Sequence, residues 1–175
     1  MNLPNLLSVS RVILIIPIIS LFEINYFLTS CFIFILGSLT DFLDGYLARK
    51  NNLESDLGGL LDLLADKLFV SILLVWLSFK FDSYFLVICT ILIISREISI
   101  SYVRLFLISK SREISEISSD FSGKLKTSFQ MLGLGFLLIS SFNPFYFYNF
   151  SLVLILLSAL LSWYSFYSYL KKWIV

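Results

Sequence analysis

Six long stretches of apolar residues run along this chain, and short polar breaks separate them. Each stretch approaches or exceeds the length of about 20 residues that an α-helix needs to cross a bilayer. The pattern predicts an all-α integral membrane protein with six transmembrane helices, forming a single domain over residues 1–175. The predicted spans are 12–27, 28–48, 57–79, 84–108, 125–141 and 147–170.

Two segments outside these spans are more polar. Residues 2–10 alternate between leucine and polar side chains, which fits either a short N-terminal interfacial helix or a simple extension of the first span. Residues 109–120 form the longest polar stretch of the chain, and they are predicted to be a cytoplasmic loop or a short surface helix.

Composition supports a membrane environment and narrows the chemistry. The chain is 58% hydrophobic and only 14% charged, whereas soluble domains average about 25% charged residues. Its formal net charge of +1 argues against binding nucleic acid, which needs an excess of basic residues. The chain has no histidine, so carboxylates, lysine, tyrosine or serine must do any acid–base or metal-binding work.

Basic residues collect at alternate ends of the predicted spans. Cytoplasmic loops carry an excess of Lys and Arg, so this distribution predicts that both termini face the cytoplasm. The basic residues at these ends are Arg49, Lys50, Lys110, Arg112, Lys124, Lys126, Lys171 and Lys172.

Four aspartates lie in or beside the second and third apolar stretches. Asp41 and Asp44 are three residues apart and Asp62 and Asp66 are four apart, so each pair shares one helix face. Antiparallel packing around Leu53 places the two pairs at similar depth, because Asp44 and Asp62 are each nine positions from it. Four carboxylates in an apolar site need cations, and hard divalent ions prefer oxygen ligands. The pattern predicts Mg²⁺ or Mn²⁺ at this position, with two ions forming a clamp of the kind used in phosphoryl transfer.

A different class of function also fits the acidic cluster. Aspartates inside a membrane protein can line the path of a transported ion, so a divalent-metal transporter is an alternative to an enzyme.

The spacing of eight residues favours the enzyme over the transporter. Read together, they form the pattern D-x2-D-G-x2-A-R-x8-G-x3-D-x3-D, which resembles the signature of the CDP-alcohol phosphatidyltransferase family without a gap. A transporter leaves the small residues and the arginine of this pattern unexplained. The eight positions are Asp41, Asp44, Gly45, Ala48, Arg49, Gly58, Asp62 and Asp66.

The resemblance implies a CDP-alcohol phosphotransferase fold and a role for each residue of the signature. Asp41, Asp44 and Asp62 would be the principal metal ligands, and Asp66 would be both a ligand and the general base. Gly45, Ala48, Arg49 and Gly58 would bind the CDP-lipid. Close helix packing is the alternative role for the three small residues, and a purely topological role is the alternative for the arginine.

Within the family, the chain is most similar to the bacterial enzymes that make phosphatidylglycerol phosphate. The segments NLPNLLSVSRVILI, SREISISYVR and GKLKTSFQM carry this similarity, although Leu63 stands where those enzymes often have proline. The resemblance implies CDP-diacylglycerol and glycerol 3-phosphate as substrates, a homodimer, and a bacterial inner or plasma membrane with the active site facing the cytoplasm. Serine, an inositol derivative or phosphatidylglycerol are alternative acceptors.

An anionic acceptor requires cations near the metal site. Arg96 and Arg104 lie within the fourth span, where an unpaired arginine is not expected on the lipid face. Lys124 and Lys126 begin the fifth span. We predict that these four residues bind the acceptor phosphate; Glu97 is an alternative partner for Arg104, and Lys67 could pair with another carboxylate.

Overall fold

The computed structural model describes residues 3–51, 56–109 and 121–174, with side chains described for residues 8–40, 63–103, 105–106 and 125–171. The described residues form six long α-helices and no strand, so the predicted all-helical class is confirmed. The helices are α1 (Leu3–Glu23), α2 (Phe27–Asn51), α3 (Asp56–Lys80), α4 (Tyr84–Ser109), α5 (Phe121–Ile139) and α6 (Asn149–Ile174).

Each predicted span falls on one of these helices, with small differences at the ends. Residues 3–10 are continuous with the rest of α1, which agrees with the alternative of a simple helix extension, and an interfacial position for them stays a prediction. The first span was predicted to reach residue 27, but α1 ends at Glu23. Residues 110–120, which make up nearly all of the predicted cytoplasmic loop, lie outside the described residues.

Two of the turns between helices share one backbone design. Asn25 and Asp82 adopt positive φ values of 66° and 44°, which asparagine and aspartate tolerate better than most residues. After α1, the N–H of Tyr26 donates to the carbonyl of Leu21 at 2.9 Å, the pattern of a Schellman motif. The same hydrogen-bond pattern follows α3. The motif after α1 explains why that helix ends before the apolar stretch does.

The six helices are arranged as a ring in the order α1, α2, α5, α6, α4, α3, with α3 also touching α5 across the centre. The centre is filled by side chains that solvent cannot reach. The core includes Ile18, Phe69, Leu73, Leu77, Leu134, Leu137, Leu138 and Ile155.

Aromatic rings close one end of the bundle. Phe22 makes edge-to-face contacts with Phe27, Trp76 and Phe81, at centroid distances of 4.9, 5.1 and 6.4 Å. Phe81 also contacts Tyr148, which lies in the π-helical segment Pro144–Tyr148 ahead of α6. The turns after α1, α3 and α5 therefore meet at this end, as the predicted topology requires; we call it the turn end.

The distribution of polarity suits a bilayer. Large apolar side chains such as Ile16, Phe32 and Ile91 are 60% exposed or more, while Arg11 and Arg96 are buried inside the bundle. By length and composition, Tyr84–Val103 and Pro144–Lys171 are each able to cross a membrane. In α2 and α5, the apolar part of the described residues is shorter, at 10–17 residues. The apolar helices thus indicate a membrane protein, while the number of spans stays a prediction.

Helix α5 packs closely on α6 through Gly133. A Cβ at this position would lie 2.7 Å from Cγ1 of Ile155, a branch atom close to its own backbone. Two positions along, a Cβ on Gly135 would lie 3.7 Å from the ring of Phe34, an ordinary contact distance.

We predict that Gly133→Ala destabilises the bundle by about 1–3 kcal/mol, the usual cost of overpacking. Gly135→Ala is the matched control and should be neutral or stabilising by up to about 1 kcal/mol, because alanine favours a helix over glycine. Thermal unfolding of the purified variants in detergent measures both effects. Equal stability of the two variants would contradict the close α5–α6 contact.

Candidate active site

Several charged side chains lie inside the bundle, either at the middle of their helices or in the half that points away from the turn end. They come from four helices: Arg11 from α1, Asp66 and Lys67 from α3, Arg96 and Glu97 from α4, and Lys126 from α5. A charge within an apolar bundle is costly unless it is paired, so the contacts of each group indicate its role.

Asp66, the predicted general base, is held by an arginine from the first helix. Nη1 of Arg11 donates to Oδ1 of Asp66, and the two residues are 55 positions apart in the sequence. The Arg11 side chain is completely buried, whereas the Asp66 side chain is 39% exposed. The carboxylate is therefore restrained by a buried cation and is still accessible.

A second cluster is centred on Glu97, and we call it the Glu97 cluster. Nη1 of Arg96 lies 2.9 Å from Oε1 of Glu97, and Nζ of Lys67 lies 3.7 Å from its Oε2. Nζ of Lys126 also donates to Oε1 of Glu97. Three cations thus surround one carboxylate, which leaves two positive charges in excess among the described side chains. The prediction that Lys67 could pair with another carboxylate is confirmed, and that carboxylate is Glu97.

Arg96 directs its remaining hydrogen bonds toward α6. Its Nε donates to the carbonyl of Ser162 at 3.0 Å, and its Nη2 donates to Oγ of Ser165 at 3.4 Å. Trp163 donates from Nε1 to the carbonyl of Leu92 at 3.1 Å, which ties the same two helices together. Arg96 therefore anchors α4 to α6 while it contributes its charge to the Glu97 cluster.

Lys67 makes two further hydrogen bonds to α4. Its Nζ donates to the backbone carbonyl of Glu97 at 3.3 Å and to Oγ of Ser101. Ser101 in turn donates to the same carbonyl at 2.6 Å. These contacts connect α3 to α4 one residue beyond Asp66, so Asp66 and the Glu97 cluster are mechanically linked.

The structure brings together some of the residues predicted from the sequence. Arg96 and Lys126 meet at Glu97, and Asp66 lies at the contact between α1 and α3. Among the described side chains, no group of three acidic, histidine or cysteine residues converges on one point. Three of the four predicted metal ligands have side chains outside the described part. The other predicted residues occur in helical segments, with side chains outside the described part: Asp41, Asp44, Gly45, Ala48, Arg49, Gly58, Asp62, Arg104 and Lys124.

Sequence reasoning missed two contributions to this region. Arg11 is not among the predicted site residues, although an ionisable residue next to a long apolar run is itself an indication of function. Glu97 was considered only as a partner for Arg104, whereas its described partners are Lys67, Arg96 and Lys126. Glu97 lies inside the fourth predicted span and Arg11 lies directly before the first, and these positions were the available signal.

Comparison with known proteins identifies the family. Residues 1–165 match the family model described as CDP-alcohol phosphatidyltransferase. A protein of Rickettsia typhi named CDP-diacylglycerol–glycerol-3-phosphate 3-phosphatidyltransferase is 40% identical over 145 residues, covering 80% of this chain and 78% of its own length.

Two further relatives carry the same name. The Haemophilus influenzae protein is 38% identical over 174 residues, which cover 97% of this chain and 92% of the relative. The Salmonella choleraesuis protein is 34% identical over 140 residues, covering 78% and 76% respectively. Because the family model and these relatives extend over most of the chain, the protein belongs to the CDP-alcohol phosphatidyltransferase family.

Proposed function

We infer that this protein transfers the phosphatidyl group of CDP-diacylglycerol to sn-glycerol 3-phosphate, giving phosphatidylglycerol phosphate and CMP. The observation that carries this inference is the family match over residues 1–165, together with relatives whose names all specify this reaction. The excess positive charge of the Glu97 cluster supports an acceptor that itself carries a phosphate.

All six helices are proposed to cross the membrane, with the charged half of the bundle facing the cytoplasm. The shortest, α5, has 19 residues, and at 1.5 Å per residue it is about 28 Å long, close to the thickness of the hydrocarbon core. The basic residues at the predicted cytoplasmic ends support this orientation. A bacterial inner or plasma membrane and a homodimer follow from the family resemblance.

The proposed metal site depends on how α2 and α3 approach each other. A Cβ on Gly37 of α2 would lie 3.1 Å from Cζ of Phe69 in α3. The ring of Phe34 stacks on the same phenylalanine with a centroid distance of 5.6 Å. This contact defines which faces of the two antiparallel helices are turned toward each other.

The four aspartates continue these two faces away from the turn end. Positions 41 and 44 follow Gly37 by four and seven residues, while positions 66 and 62 precede Phe69 by three and seven. At a rise of 1.5 Å per residue, positions 41 and 66 lie about 4.5–6 Å beyond the ring contact, and positions 44 and 62 lie about 10 Å beyond it. The register supports four carboxylates at matching depths on facing helices.

This donor set of oxygen ligands fits Mg²⁺ or Mn²⁺, and Mg²⁺ is commonly bound by carboxylates together with substrate phosphates. Asp41, Asp44, Asp62 and Asp66 would hold two ions. When bound, the ions neutralise charge on the diphosphate and on the departing CMP. Gly45, Ala48 and Gly58 are proposed to leave room for the nucleotide, and Arg49 is proposed to bind the diphosphate oxygens.

Asp66 is proposed to act as the general base. It takes the proton from the terminal hydroxyl of the acceptor, and the hydroxyl oxygen forms a bond to the phosphorus that carries diacylglycerol. The bond from that phosphorus to CMP breaks, and its electron pair leaves with CMP. The 39% exposure of the Asp66 side chain supports this role, because a base must reach its substrate.

Lys126 is the strongest candidate for binding the acceptor phosphate. Its side chain is 8% exposed, and its ammonium group can move from Glu97 to a phosphate without leaving the carboxylate unpaired, since Arg96 and Lys67 remain. Arg96 supports the site through its charge and its anchoring to α6. Arg104 and Lys124 are proposed to contribute further positive charge.

The first test is a choice of acceptors. Purified protein with CDP-diacylglycerol and Mg²⁺ should release CMP when glycerol 3-phosphate is supplied, and the release should stop with EDTA and return with Mg²⁺ or Mn²⁺. Serine, an inositol phosphate and phosphatidylglycerol are the parallel acceptors. Faster release with any of them would reassign the substrate, and release with none would refute the proposed function.

We predict that Asp66→Asn lowers turnover by about 10²- to 10⁴-fold, the usual contribution of a general base. Binding of CDP-diacylglycerol should persist, because the other three aspartates remain. Asp82→Asn is the matched control: Asp82 is exposed in the turn after α3, and asparagine tolerates its positive φ. An Asp66→Asn enzyme with normal CMP release would exclude Asp66 as the base.

We predict that Lys126→Met raises the KM for glycerol 3-phosphate by about 10- to 100-fold, the effect of losing one hydrogen bond to a charged group. The KM for CDP-diacylglycerol should change by less than about threefold. Lys171→Met, an exposed position near the end of α6, is the control and should leave both constants unchanged. An unchanged acceptor KM in Lys126→Met would remove Lys126 from the acceptor site.

A further inference from the structure

Arg11 of the first helix contacts Asp66, and Arg11 itself is not one of the eight signature positions. We propose that Arg11 is a positioning residue: it fixes the Asp66 carboxylate in the orientation that the transfer reaction needs. The inference rests on the proposed function, and it extends the active site to a helix that contributes none of the four aspartates.

The position of Arg11 is set by the packing of α1. Ser8, Arg11, Ile15, Ile18 and Phe22 are all buried, and their spacings of three, four, three and four residues form one helix face. This face packs against α2 and α3, and Phe22 fixes its far end within the aromatic contacts of the turn end. The guanidinium therefore extends from a rigid helix rather than from a loop.

The contact restrains Asp66 without covering it. Nη1 of Arg11 donates to Oδ1, while the Asp66 side chain keeps 39% of its surface accessible. A carboxylate has two oxygens and about four lone-pair sites, so one bond to arginine leaves capacity for a further partner.

The chemistry of arginine suits this role better than that of lysine. A guanidinium is planar, keeps its charge and directs its N–H groups in fixed directions, whereas an ammonium is a rotating point charge on a flexible stem. Arg11→Lys should therefore keep the ion pair and lose part of the orientation. Arg11→Met should fill much of the same volume and lose the contact altogether.

The test compares CMP release by the full-length wild type, Arg11→Lys, Arg11→Met and Ile15→Val, with CDP-diacylglycerol and glycerol 3-phosphate as substrates. A displacement of about 1 Å in a reacting group costs on the order of 100-fold in rate, so kcat should fall about 100-fold in Arg11→Met and about 10-fold in Arg11→Lys. Both KM values should stay within about threefold of the wild type. Ile15→Val changes the same buried face one turn away and should keep the wild-type kcat.

The outcomes separate this inference from the proposed function. A wild-type protein that releases no CMP refutes the proposed function itself. With an active wild type, an Arg11→Met protein that is monodisperse in detergent and retains its kcat overturns the positioning role. If Arg11→Met does not fold, Arg11→Lys decides: a folded variant with reduced kcat supports the role, and an unfolded variant or an unchanged kcat overturns it.

Discussion

An ionised side chain inside a bundle of apolar helices has no water to stabilise it, and its charge must be met by another group. The described part of this protein meets that requirement twice, with Arg11 against Asp66 and with three cations around Glu97. Both arrangements join different helices, so they also fix how the helices stand relative to one another. The polar chemistry and the helix arrangement therefore depend on the same contacts.

The two ends of the bundle differ in how they are held. At the turn end, Phe22 and its aromatic neighbours pack around two Schellman turns, and an exposed ion pair between Lys80 and Glu23 also joins α3 to α1. In the opposite half, the Arg11–Asp66 pair and the Glu97 cluster join the helices through buried and partly buried charges. A tightly packed end gives the polar half a fixed frame, which a site for oriented phosphoryl transfer requires.

Hydrogen-bond partners assign different roles to Arg96 and Lys126, two equally buried cations that look alike in the sequence. Arg96 donates to a backbone carbonyl and to a serine of α6, so most of its hydrogen-bonding capacity serves to hold helices together. Lys126 has Glu97 as its described partner, and Glu97 keeps other cations if Lys126 moves. The flexible ammonium of Lys126 shares its counter-ion with other cations. It is therefore better suited to bind an anionic substrate than the guanidinium of Arg96, which already binds Glu97 and α6.

The sequence by itself determined the helical class, the approximate helix positions and the signature of four aspartates, because apolar runs and residue spacing are local properties. It did not predict that α1 ends at Glu23, which depends on the backbone of Asn25. Only the tertiary structure decided that Arg11 meets Asp66 across 55 residues and that Glu97 collects cations from α3 and α5. Those partners are chosen by the packing of helices distant in sequence, and no local pattern encodes that packing.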